Sequence, residues 1–477
     1  MALHLTSDDR DKLHGAAGPG TQMAMSILVR MAEAIGAPAL LDITGAHIDS
    51  AIYLGEATLA FAERLASLGA RVVVPTSLNV SGVDELGWRE WAVPPEWAAQ
   101  ATRQMHAYRQ MGCTQTWTCA PYQTTMRPKF GEQIAWGESN AVAFANTAIG
   151  ARTERYPDLL DICAAITGRV PAVGLHLTEQ RAGQLLVRLA GVPLRVQEDD
   201  AFYPVLGHLL GRIAGDRIPV VTGLEARPTE DQLKALCAAA ASSGAIALLH
   251  LVGITPEAPT VDAAFQRPIA SASATGKAFS AGSASASTSP SISDIEAHDV
   301  GMSELRAAWR DLTTSDGATL DLVVLGSPHF SLAEFAQLAP LLAGRRRHAD
   351  VRFLVTTSRI MRDLAEAAGH LARLREFGGQ VTVDTCILAT PMLQPGIKTL
   401  MTNSAKYAYY APGLLGTRVV FGRLADCVAS AEAGRIVRLP SVWDAQPDSD
   451  AAASKAATAD AAAPEAADSA RDAQVQS

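Results

Sequence analysis

Residues 320–329 read Leu-Asp-Leu-Val-Val-Leu-Gly-Ser-Pro-His, a short apolar run that ends in a polar turn. A helical period over 331–342 follows. Then come a second apolar run at 351–356, a helical period over 363–377 and a third run at 380–383. Strand-length apolar runs alternating with longer amphipathic stretches are the pattern of an α/β protein with mostly parallel sheets. The alternation extends outward. Residues 38–43, 71–75 and 244–252 read as further strands, and 22–35, 50–68, 97–111, 140–149, 158–166, 180–189 and 231–241 as helices. Several of the strands end in turns carrying Gly, Asn, Ser or Cys, where open α/β sheets form their ligand crevices.

Composition bounds what such a sheet protein does. With 477 residues and 48% hydrophobic side chains, the chain can bury a large core in more than one lobe. Asp and Glu outnumber Lys and Arg 49 to 40, for a net charge of -9, so no basic footprint for nucleic acid is present. The basic run Arg345-Arg346-Arg347-His348 sits between a predicted helix and strand and reads as a solvated turn. The amino terminus lacks an apolar signal core, and no run of about 18 apolar residues offers a membrane span. The cysteines, at 113, 119, 163, 237, 386 and 427, show no disulfide-framework spacing, which fits a reducing, cytoplasmic setting. Residues 268–292 are nearly all small and predict a flexible insertion. From about Asp444 an Ala/Asp/Ser/Glu tail begins, so the expected folded body is 1–443.

The residues with chemistry sit at the turns. Cys119 in Trp-Thr-Cys-Ala-Pro-Tyr follows an extended run, and Pro121 biases Ala120 away from helix, so the chain turns just after the thiol. Cys386 in Val-Asp-Thr-Cys-Ile-Leu-Ala-Thr-Pro occupies a matching position past another strand. Each is either a small buried hydrophobe or one of a pair converging on a soft metal or iron–sulfur cluster. Ser327 and His329 lie on a third such turn, as a hydroxyl ligand and its neighbour or as a plain helix cap. Gly137-Glu138-Ser139-Asn140 opens a predicted helix whose N-terminus suits a carboxylate or phosphate; Glu138 beside it is a candidate acid or base. Three more turns resemble ligand loops: Thr44-Gly45-Ala46-His47, Thr76 to Ser81 with Asn79 and Val80, and Met401 to Tyr407 with Lys406. Gly15-Ala-Ala-Gly18-Pro-Gly20 lacks a preceding strand and the spacing of a dinucleotide fingerprint.

Taken in order, these segments resemble the aconitase X family. The resemblance rests on Ala46-His47-Ile48-Asp49, Pro75-Thr76-Ser77-Leu78-Asn79, Thr118-Cys119-Ala120-Pro121-Tyr122 and Gly137-Glu138-Ser139-Asn140-Ala141. It continues through Gly168-Arg169-Val170-Pro171, Gly174-Leu175-His176-Leu177, Gly326-Ser327-Pro328-His329, Asp384-Thr385-Cys386 and Lys406-Tyr407. It implies aconitase-like αβα domains around an iron centre and hydro-lyase activity. The family's known reactions are dehydration of cis-3-hydroxy-L-proline in bacteria and of mevalonate 5-phosphate in archaea. Cys119 and Cys386 match two of the three cluster-binding cysteines of the archaeal branch, and Ser327 stands at the third position. That substitution implies an iron–sulfur cluster of lower nuclearity, such as [2Fe–2S], or a mononuclear iron, and favours the hydroxyproline branch. By position the resemblance also assigns Gly45, Ala46, His47, Asn79, Val80 and Ser139 to substrate contact, and Glu138, Ser139 and Lys406 to catalysis. It further implies a separate small swivelling subunit as partner, which supplies the base and without which this chain is inactive.

Overall fold

A computed structural model of the chain describes residues 3–124, 126–267 and 295–444. The expected flexible insertion at 268–292 and the expected tail beyond Asp444 lie outside the described residues. Met1–Leu439 form one compact unit and Pro440–Ser477 a second, and every described helix and strand belongs to the first.

Three successive stretches of chain build the sheets. In the first, Thr76–Leu78, Ala46–Ile48 and Ala135–Trp136 form a parallel sheet with Ala46–Ile48 at its centre. Leu40–Asp42 pairs antiparallel with Arg169–Pro171 as a separate ribbon. In the second, His250–Leu251, Pro219–Thr222, Leu185–Leu189 and Ala297–Val300 lie side by side, all parallel. The third is a five-stranded parallel sheet in the order Gln380–Val383, Arg352–Thr357, Leu322–Leu325, Thr399–Thr402, Arg418–Phe421.

The third sheet runs outward in one direction from Leu322–Leu325, then resumes on its other side with Thr399–Thr402. That reversal makes a switch point between the two central strands, where their following loops diverge and leave a crevice. The strand Leu322–Leu325 is buried along its whole length, as a parallel sheet covered on both faces requires. Around it Phe335, Leu338 and Leu342 of helix Leu332–Leu342, Leu374 and Phe377 of helix His370–Phe377, and Val428 of helix Leu424–Ala433 close one core with Phe353 and Val355. Ser331 starts the first of these helices with a capping box to Glu334.

Some expected elements differ. Residues 180–189 are no helix: Leu185–Leu189 is a strand between two parallel neighbours, and its Leu-Leu-Val run fits either period. The 71–75 run is not in a strand; Val73 is largely exposed and the strand comes just afterwards at Thr76–Leu78. The 363–377 helix is two, Arg359–Ala367 and His370–Phe377, parted by Gly369 in the left-handed region.

Helix Glu230–Ser243, opened by a Thr229–Gln232 capping box, lies between helix Phe202–Ala214 and the site helix Ser139–Phe144. Its contact with Phe202–Ala214 is close because Gly207 and Gly211 carry no side chain there. A Cβ on Gly207 would sit 2.3 Å from the Leu236 carbonyl oxygen. No described helix is long and apolar enough to cross a membrane. Gly207→Val would push the two helices apart by overpacking, and is expected to cost about 3 kcal/mol or more in denaturant unfolding.

Candidate active site

The parallel strands deliver their following residues to one cavity of about 230 Å³. From the first sheet come Asp49 after Ala46–Ile48, Asn79 and Val80 after Thr76–Leu78, and Glu138 and Ser139 after Ala135–Trp136. Cys119 joins them because its chain continues that sheet: Thr114 bridges Ser77, and Thr118 N–H donates to Leu78 O at 3.1 Å. The five-stranded sheet contributes Gly326 and Ser327, Cys386 with Leu388 and Ala389, and Lys406 with Tyr410. Ser327 and Lys406 follow its two central strands, so they stand at the switch point. Ser404 ties the two loops together by donating its hydroxyl to Ser327 O.

At the centre is a buried ion pair. Lys406 Nζ bonds Glu138 Oε1, joining residues that the first and third stretches of chain supply. Burial works against the Lys406 ammonium, but Glu138 and Cys119 outweigh it and hold the lysine above its ordinary value. The other oxygen of Glu138 is also engaged. Oε2 accepts Ala141 N–H at 2.7 Å and caps helix Ser139–Phe144. The helix N-terminus expected to receive a substrate anion is therefore already occupied by Glu138. Ser139 Oγ lies 3.5 Å from Glu138 Oε1.

Cys119 and Cys386 share one apolar cluster with Val80, Ala389 and Ile52. The Cys119 sulfur accepts the His329 N–H at 3.1 Å, while the backbone N–H groups of Leu388 and Ala389 oppose the effect of burial on the Cys386 thiol. Burial, then Glu138, pushes the Cys119 thiol up to about 12, and burial raises Cys386 as well. A metal's positive charge is what turns such buried thiols into thiolates, and N–H donors to sulfur stabilise that form. No group of three His, Cys, Asp or Glu side chains suited to a metal occurs among the described residues. Two sulfurs and the Ser327 residue thus line the same cavity.

The cysteine loop is braced from behind. Asn140 Nδ2 donates to Cys119 O at 2.9 Å. His329, buried and pushed down to about 4 by burial, sits between Thr118 Oγ1 at 3.2 Å and Thr385 O at 3.1 Å. Its carbonyl accepts from Lys234 Nζ at 3.2 Å, and Lys234 is itself held by Asp231 at 2.8 Å and Glu334 at 2.5 Å.

Gly45, Ala46 and His47 are not in the cavity. Gly45 and Ala46 line a separate hollow with Pro75 and Arg127. His47 is fully buried against Trp136 and Ser77, and burial pushes it down to about 3, so it is a neutral core histidine. The reason is the strand assignment. The strand before the site is Ala46–Ile48, not the antiparallel ribbon at Leu40–Asp42, so the residue past its end is Asp49. Sequence reasoning does not single out Asp49, which lines the cavity, although a carboxylate directly after Ala-His-Ile is the available signal.

The Asp49 turn is held firmly. Asp161 accepts Asp49 N–H at 2.6 Å, Ser50 N–H at 3.0 Å and the Ser50 hydroxyl at 2.6 Å. Gln104 Nε2 and Tyr108 OH donate to the carbonyls of this turn. Gly137 leaves room for it, since a Cβ there would lie 2.8 Å from Asp49 Cβ. The Asp49 carboxyl is pushed up to about 8, by burial first, then by Glu138, Asp161 and Asp158, with Lys406 opposing.

Comparison with known proteins places this geometry. Models of the aconitase X first, second and third domains match residues 2–179, 183–275 and 320–433. A cis-3-hydroxy-L-proline dehydratase of Pseudomonas aeruginosa is 46% identical over 90% of this chain and 70% of its own length. A phosphomevalonate dehydratase large subunit of Methanocaldococcus jannaschii is 32% identical over 89% of this chain and 99% of its own. The crystal structure of Thermococcus kodakaraensis aconitase X in its holo-form superposes with a TM-score of 0.74 at 30% identity, over 90% of this chain and all of that one (100%).

Two outcomes are expected. Lys234→Met strips the Asp231 and Glu334 carboxylates of their cation and frees the His329 carbonyl, so it should cost about 3–5 kcal/mol in denaturant unfolding. Asp49 binds its proton more tightly in the folded chain, because its folded value lies above the ordinary 3.8. The stability it adds is full below that ordinary value and is lost as pH climbs through about 8. Urea unfolding of Asp49→Asn beside the parent should show a difference that grows in the variant's favour across that window.

Proposed function

The chain belongs to the aconitase X family, and from that premise we propose that it is the large subunit of a hydro-lyase converting cis-3-hydroxy-L-proline to Δ1-pyrroline-2-carboxylate. The observation that supports this substrate over a phosphorylated one is the charge of the cavity. Among its described lining residues Lys406 is the one Lys or Arg, and it is already paired with Glu138. A phosphate dianion needs several cations or unspent backbone donors, whereas the one carboxylate of an amino acid needs fewer. The 46% identity to the Pseudomonas enzyme, against 32% to the archaeal subunit, points the same way.

In this reading the Lys406 ammonium binds the substrate carboxylate and offsets the charge that develops there as the α-proton leaves. Glu138, committed to Ala141 and Lys406, fixes the lysine in place. The Ser139 hydroxyl is a second donor at the same end of the cavity. Cys119 and Cys386 hold iron, as a [2Fe–2S]-type cluster or a single ion, with Ser327 beside them. When bound, the iron supplies Lewis acidity towards the departing 3-hydroxyl. Loss of the α-proton and that hydroxyl as water leaves an enamine, which tautomerises to the pyrroline product. Val80, Ile52, Leu388 and Ala389 give the cavity an apolar wall.

A separate small swivelling subunit completes the site. Leu54 and Leu414, at the cavity rim, are 61% and 63% exposed, an apolar edge suited to a covering partner. The partner would bring the base for the α-proton, since the carboxylate of Glu138 is already occupied by donors. The archaeal relative named a large subunit, matched over 99% of its length, is what supports a separate polypeptide.

The test is anaerobic co-expression with the small subunit, followed by iron per chain and turnover of cis-3-hydroxy-L-proline and of mevalonate 5-phosphate. Bound iron with hydroxyproline turnover only in the complex is expected. Cys119→Ser or Cys386→Ser should lose bound iron and at least about a hundredfold in turnover. Turnover of mevalonate 5-phosphate instead would overturn the substrate, and full activity in Cys119→Ser would overturn the ligand set.

A further inference from the structure

The two carboxylates that line the cavity are unequally occupied. Glu138 is bonded through both oxygens. Asp49 has one side-chain partner among the described residues: its Oδ1 accepts from Asn79 Nδ2. Asp49 Oδ2 has none among them, and the residue lines the cavity. Asn79, having given its amide hydrogen to Asp49, keeps Oδ1 as an acceptor, and that atom is buried with no partner. Asn79 is only 1% exposed, so a lone acceptor there is costly unless something comes to it. The cavity wall therefore holds an unspent carboxylate oxygen, with the partnerless Asn79 Oδ1 buried beside it.

The surroundings favour a cation at this spot. Asp49 is crowded by Glu138, Asp161 and Asp158, and the nearby cation, Lys406, is committed to Glu138. The backbone of the turn is fixed by Asp161, Gln104 and Tyr108, and the carboxylate on it is held by the Asn79 amide. None of the bonds to the backbone of the turn uses the Asp49 side chain. The network is spent on aiming it.

A secondary ammonium presents two N–H donors from one nitrogen, which matches two neighbouring acceptors. We propose that Asp49, with Asn79 beside it, binds the ring ammonium of the substrate, and that this pair selects a cyclic amino acid over a hydroxy acid that lacks the amine. The inference rests on the reading of the cavity as a hydroxyproline site. It assigns the two ends of the substrate: carboxylate to Lys406, ammonium to Asp49 and Asn79. Keeping the nitrogen charged also acidifies the neighbouring α-proton, so the pair serves the reaction as well as recognition.

Calorimetric binding to the full chain tests it, with L-proline and cyclopentanecarboxylate as probes that differ in the ring nitrogen. The parent should bind L-proline about tenfold or more tighter, the worth of one charged hydrogen bond. Asp49→Asn should erase most of that preference while leaving cyclopentanecarboxylate unchanged. Asp49→Ser is the second variant, and melting curves of both confirm folding. A preference that survives in both folded variants, or is absent from the parent, overturns the proposal. Turnover of cis-3-hydroxy-L-proline by the complex is scored separately. If turnover is absent while the preference is present and depends on Asp49, the amine site stands and the assigned reaction falls.

Discussion

The site depends on the bond between Glu138 and Lys406. It joins the end of a strand in the first sheet to the start of the helix Ala405–Leu415 between two strands of the five-stranded sheet, 268 residues apart. A buried pair of this kind adds little net stability over an apolar contact, because desolvation offsets most of the attraction. What it adds is register. Glu138 also caps the site helix, so the lysine is located against a helix end and not against a freely rotating side chain. The cysteines share an apolar cluster with Val80, Ile52 and Ala389, and Asp49 and Asn79 follow strands of the first sheet.

The sulfur side of the cavity holds two buried thiols. Both thiols are pushed up by burial, and the neighbours that lower them are Lys406 and backbone N–H groups. Such an arrangement favours neutral thiols, so the apolar pocket carries no uncompensated thiolates. The bracing behind Cys119 serves the same end. Lys234, Asp231 and Glu334 hold the His329 carbonyl, and His329 in turn offers its N–H to the sulfur. A charged cluster is thereby kept one peptide unit away from the Cys119 sulfur.

Much of this is legible in the sequence, for a physical reason. Parallel strands need covering on both faces, so they write apolar runs that can be read, and their C-terminal turns must carry the polar residues. Cys119, Cys386, Ser327, Glu138 and Lys406 are all found that way, and the structure brings them to one cavity. The failures have the same origin. The strands of the first sheet are only two or three residues long, too short to show a period, so the turn at Gly45–His47 stands out in place of Asp49. Leu185–Leu189 fails because a fully buried strand and a buried helix turn look alike over that length. That Glu138 caps its own helix, and so closes the expected anion site, is not written in a Gly-Glu-Ser-Asn string that serves equally as an open N-terminus.

The charge of the cavity then constrains what it can hold. Lys406 neutralises Glu138, so the pair presents no net charge, and Asp49 leaves the wall anionic once it loses its proton. Once Asp49 is deprotonated such a wall disfavours a doubly charged phosphate, and in the proposed reading it accommodates a zwitterion whose positive end meets Asp49. Binding the ammonium also resolves the crowding among Asp49, Glu138, Asp161 and Asp158 that raises the Asp49 carboxyl. In the proposed reading the crowding favours a proton on Asp49 in the free protein and the substrate's own charge in the occupied one. Substrate binding should therefore release a proton above the ordinary carboxylate range, which makes the crowding around Asp49 part of the cavity's selectivity.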